Sequence, residues 1–168
     1  MNSHQNAHQQ LALQTVTVPD LNVTLEATRL ICSVYQAVQQ VTWRRGKPAP
    51  DADPTPYAIL QSLLTYSYAV GNLCSDDIQA AAIHDPAARY LCANHTPRSE
   101  TIREFRRHNT ASVTASLAHL FKTITAAAPE TYSAYSVERA FSPNRNFHTL
   151  AQQRLARAIQ ADSHALDI

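Results

Sequence analysis

The chain has 168 residues, room for one core of ordinary size with appended tails. Only two glycines (Gly46 and Gly71) stand against many alanines, leucines and glutamines, which excludes turn-rich β folds and the glycine loops that cradle phosphates. Net charge is +1, and no apolar run reaches the ~18 residues of a membrane span, so any nucleic-acid site must be a local patch and no membrane partner is expected.

Residues 1–15 are rich in Gln, Asn and His and read as a disordered polar arm. His4 and His8 stand one helical turn apart, but two ligands do not make a metal site, and neither does the pair Cys92 and His95. The N-terminus lacks a basic region followed by an apolar stretch, so it is no secretion signal. Cys32, Cys74 and Cys92 each adjoin apolar residues and none sits in a CxxC. They read as reduced, mostly buried thiols of a cytoplasmic protein.

Leu30, Ile31, Val34, Val38 and Val41 recur at helical spacing, opposite Gln36, Gln39 and Gln40, and predict a helix from about 25 to 41 that Asn22 or Thr24 can cap. The proline-rich stretch RRGKPAPDADPTP then breaks it, with a basic cluster at Arg44, Arg45 and Lys47. Thr55 as cap and Pro56 at the first turn open a second helix. Leucines and tyrosines cover nearly all its faces until Gly71, as befits the middle of a bundle. Tyr57, Tyr66 and Tyr68 are read there as packing groups. Two short helices follow: one capped by Ser75, with Asp76 and Asp77 in its first turn and Ile78, Ala81, Ala82 and His84 as its inner face, and one opened by Asp85-Pro86.

The next helix starts near Ser99. Ile102 and Phe105 are assigned to the core, with Arg103, Arg106 and Arg107 on the opposite stripe. Val113, Leu117, Leu120, Phe121 and Ile124 continue it to Pro129. Residues 130–148 look irregular or only briefly helical. A last amphipathic segment from Leu150 carries Leu155 and Ile159 inward and Arg154 and Arg157 outward. The expected fold is all-α, a compact multi-helix bundle with a helix-turn-helix-like unit. Its parts are the arm (1–15), a helical domain (16–128) and a partly helical C-terminal extension (129–168).

The run from Pro56 through Tyr68, Gly71, Ser75, Ala88-Arg89-Tyr90-Leu91 and Pro97 to Thr101-Ile102-Arg103-Glu104-Phe105-Arg106-Arg107-His108 resembles the N-terminal helical domain of DDE-type insertion-sequence transposases, the InsH-like group. The resemblance spans about residues 16–122 and is strongest over 56–109. It implies a domain that binds terminal repeats, while a separate RNase H-like domain does the chemistry. That chemistry needs three carboxylates around two divalent ions. After Asn109 the acids are Glu130, Glu138, Asp162 and Asp167, and no strand-like segment carries them. The chain is therefore expected to be no enzyme, to lack the catalytic domain, and to need neither cofactor nor metal. The expected partner is double-stranded DNA, contacted by Arg98, Arg103, Arg106, Arg107, His108 and Asn109, with a second copy or a full-length transposase as further partners. In a helix-turn-helix the arginines would reach base edges and phosphates. The blander alternative is a solvated stripe in which Glu100 and Glu104 pair with Arg103, Arg107 and His108. An interaction or dimerisation module without a DNA role is the second functional reading, motivated by near-zero net charge and by Asp76 and Asp77.

Overall fold

A computed structural model describes residues 21–44, 55–127 and 146–166. Six α-helices occupy them: α1 Leu21–Arg44, α2 Thr55–Val70, α3 Ser75–His84, α4 Pro86–Leu91, α5 Ser99–Ala127 and α6 Phe147–Leu166. No strand occurs among the described residues. The fold is all-α, as the composition required. The arm with His4 and His8, the residues Arg45 and Lys47, and the stretch 128–145 lie outside the described residues, as do the side chains of Asn22, Thr24, Arg44 and Thr55.

α2 is the central element. Every residue from Leu60 to Ala69 is buried, including Gln61, Ser62, Thr65 and Ser67. Two of those polar groups, Gln61 and Thr65, are answered by α5, while the Ser67 hydroxyl has no hydrogen-bond partner among the described residues. Gln61 exchanges hydrogen bonds with Ser112, its amide donating to the carbonyl at 3.2 Å and its oxygen accepting from Oγ at 3.1 Å. The Thr65 and Ser116 hydroxyls lie 2.8 Å apart. Gly71 ends α2 with φ 100°, a left-handed cap that lets its own N–H and that of Asn72 reach the Ser67 carbonyl.

α1 lays Leu30, Val34 and Val38 of the predicted stripe onto the core together with Ala37, while Ile31 and Val41 are half-buried. α4 begins as Asp85-Pro86 dictates, with the Asp85 carboxylate accepting from the Ala87 and Ala88 amides at 2.8 and 3.4 Å. The expectation for α3 needs correcting. Cys74 is its N-cap and makes no side-chain cap bond, while Ser75 turns its hydroxyl to α6. His84 is exposed rather than facing inward.

α6 shares the same core, through Ala151, Leu155 and Ala158. Its inner face also differs from the expected one. Arg154 is buried and Ile159 is 48% exposed, because the stripe that faces α5 runs 151, 154, 155, 158, 162, at the i, i+3, i+4 spacing of a helix face. Small residues at 151 and 158 allow close approach. Of the thiols, Cys92 is buried, Cys74 half-buried and Cys32 exposed. No described helix is long and apolar enough to cross a membrane.

Candidate nucleic-acid interface

Of the six residues expected to touch nucleic acid, five lie in the first part of α5 and Arg98 immediately precedes it, and that segment has its own construction. The Ser99 amide donates to Gln79 Oε1 at 2.7 Å, which ties the head of α5 to α3. The Arg98 carbonyl accepts the first helical bond, from Ile102, at 3.0 Å. Phe105 then packs edge-on against Tyr57, with ring centroids 5.1 Å apart.

Ten residues on, the helix bends. Asn109 leaves helical geometry at φ −122°, ψ 21°. Its amide donates to the Phe105 carbonyl at 2.9 Å, and the Thr110 hydroxyl donates to the Arg106 carbonyl at 2.9 Å. The His108 Nδ1 lies 2.9 Å from the Glu104 carbonyl. Side chains thus serve successive carbonyls around a kink, the competition for backbone partners that these polar residues offer inside a helix. The first part of α5 is thereby set at its own angle to the remainder.

The six residues are not brought together as one surface. Arg98, Arg107 and His108 are exposed, Arg103 and Asn109 are partly covered, and Arg106 is buried with 3% of its surface accessible. Arg106 is therefore not on the outer stripe. It stands four residues after Ile102, on the inner face of α5, and only the charge made it look external. Its guanidinium donates to Asp162 of α6 and to the Tyr68 hydroxyl of α2, the latter at 3.0 Å. The Asp162 carboxylate accepts in addition from the Ser75 amide and the Ser75 hydroxyl, both at 2.7 Å. One carboxylate so caps the start of α3 in place of a local side chain and neutralises a buried arginine. Sequence reading missed Asp162, for which no local motif exists.

Burial works against the charge on both partners, and the contacts overcome it. Burial pulls the Arg106 guanidinium toward its neutral form, yet Tyr68 and Asp162 hold its pKa above the ordinary value. Burial pushes the Asp162 carboxyl up, but the bonds from Ser75 and Arg106 hold it below the usual range. Burial pushes the Tyr68 hydroxyl up to about 12. At neutral pH the cluster holds one cation, one anion and a neutral phenol.

Outside this cluster, Arg103 donates to the Ser99 hydroxyl at 3.3 Å and pairs with Glu100 at 3.4 Å, one contact of the expected solvated stripe. No ion pair of Glu104 or Arg107 occurs among the described residues. No group of three or more His, Cys, Asp or Glu side chains among the described residues is placed to hold a metal ion. Comparison with known protein families, curated proteins and solved structures finds no match to this chain.

Proposed function

We propose that this chain is a DNA-binding helical domain of transposase type that holds duplex DNA against the first part of α5 and performs no chemistry itself. Arg98, Arg103, Arg107 and His108 would face the duplex, on a helix-turn-helix-like unit made of α3, α4 and the head of α5. The observation that carries the reading is Arg107: an exposed guanidinium with no ion pair among the described residues, one turn along from Arg103. Cations on an accessible helix face are the usual means of gripping phosphates. Arg106 has a different part, since its charge is spent on holding α5 against α2 and α6. The test is a titration of fluorescent terminal-repeat duplexes at two salt concentrations. Affinity tighter than the nonspecific ~10⁻⁴–10⁻⁶ M, falling as salt rises, is expected. Binding no tighter than to unrelated duplex overturns it.

A second reading, a protein-interaction module, is favoured by one observation. Tyr35 and Tyr90 are 58% and 72% exposed and border a common groove of about 730 Å³ between α1, α2 and α4. Exposed aromatics of this kind are enriched at protein interfaces. Light scattering separates the two: a dimer that buries Arg103 and Arg107 supports the module, and a monomer that binds duplex supports the DNA reading.

A further inference from the structure

α5 and α6 do not close completely where the arginines lie. A cavity of about 450 Å³, open to solvent, remains between them. Arg103, Arg106, Arg107 and Thr110 line it from α5, and Ile159, Asp162 and Ser163 from α6. Glu100 lines it as well, so three guanidinium groups meet two carboxylates, which leaves one positive charge over.

The two carboxylates are not equal. Asp162 already accepts from Ser75 and Arg106 and is almost fully buried, so little of its charge faces an incoming anion. Glu100 is exposed and holds Arg103 only by a long contact of 3.4 Å. Arg107 has no ion pair among the described residues. Arg103 and Arg107 are one helical turn apart and both line the cavity, an arrangement that suits an oxyanion with several oxygens. The Ser163 hydroxyl completes the far wall, although it now donates to the Ile159 carbonyl at 3.0 Å. The volume is many times the ~30 Å³ share of one water, so a phosphate enters with part of its hydration.

We infer that this cavity is a phosphate site, and that it takes a single phosphodiester of a nucleic-acid backbone between α5 and α6. Arg107 and Arg103 are its donors, Glu100 is the acid that the phosphate displaces from Arg103, and Ser163 is the contribution of α6. The inference rests on the DNA-binding reading for its source of phosphate, but the site itself is defined by the anion. One net charge matches the monoanion of a diester. α6 thereby becomes half of the interface rather than an appendage.

The test uses the full chain and two probes. Inorganic phosphate is titrated against chloride at constant ionic strength while backbone amides are followed by NMR, and a labelled duplex is titrated in parallel. Phosphate, and not chloride, is expected to shift amides of 99–110 and 159–163. Arg107→Ala should weaken phosphate binding ~10-fold or more, the loss of a charge-assisted contact. Glu100→Gln should tighten it about two- to fivefold, the scale of an exposed ion pair removed from competition. Both positions are exposed, so folding is not at stake. Absence of the phosphate shifts, or shifts indifferent to both substitutions, overturns the site. Duplex binding that ignores Glu100→Gln and Ser163→Ala and resists competition by phosphate also overturns it, and leaves the DNA reading standing. Phosphate binding with no duplex binding upholds the site and removes the DNA reading instead.

Discussion

Arg106 of α5 and Asp162 of α6, 56 residues apart in the chain, form a buried ion pair to which Ser75 and Tyr68 are both hydrogen-bonded. Four helices therefore meet at one carboxylate and one guanidinium.

Breaking that pair from one side leaves the other charge buried and unanswered. Asp162→Ala should lower the unfolding free energy by about 3–5 kcal/mol. The double replacement Arg106→Met with Asp162→Leu should cost less than the sum of the single losses, since it strands no charge. Urea denaturation of Asp162→Ala, of Arg106→Met and Asp162→Leu singly, and of the double variant measures both; additive losses would contradict the coupling.

The same cluster sets the pH limits of stability. Asp162 has its pKa depressed by folding from the ordinary 3.8, so its contribution is complete above that value. As pH falls from about 5, the unfolded chain takes up the proton first and stability declines until the folded carboxyl protonates. Tyr68 acts at the other end: its pKa rises on folding from 10.0 to about 12, so its contribution is complete below 10 and lost as pH climbs through that interval. Urea midpoints across pH should show both slopes, and Asp162→Asn should flatten the acid one. An unchanged acid slope in that variant would sink the assignment.

Arg106 and Arg107 are neighbours with opposite expected phenotypes. Arg107→Ala should leave the urea midpoint unchanged, weaken duplex binding, and reduce its salt dependence by about one phosphate contact. Arg106→Ala should lower the midpoint sharply, with any loss of DNA affinity following from lost folded protein. Measuring stability and binding on the same samples decides it.

Asp85 joins a cap to a tertiary contact, since its carboxylate also accepts from the Tyr66 hydroxyl at 2.8 Å. Asp85→Ala should cost about 1–2 kcal/mol as a lost cap. Tyr66→Phe should cost about 1 kcal/mol, the scale of one hydrogen bond. A thermal-melt series reports both, and a neutral Asp85→Ala would refute the capping role.

What the chain's own order of residues determined is local. Helical spacing in α1 and α5, Pro56 and the Asp85-Pro86 signal, Gly71 at a left-handed cap, and the absence of strand-forming patterns all act within a turn or two of backbone. The burial of Ile102, Phe105, Val113 and Leu117 followed from the same periodicity. The fate of the arginines did not. A guanidinium on an inner face is expelled unless a carboxylate meets it there, and that carboxylate, Asp162, arrives from a helix 56 residues away. The cap of α3 was settled in the same way, by an acid 87 residues distant instead of its own serine. Burial makes such long-range pairing obligatory, because an uncompensated charge costs more than any local preference for water or for a serine cap.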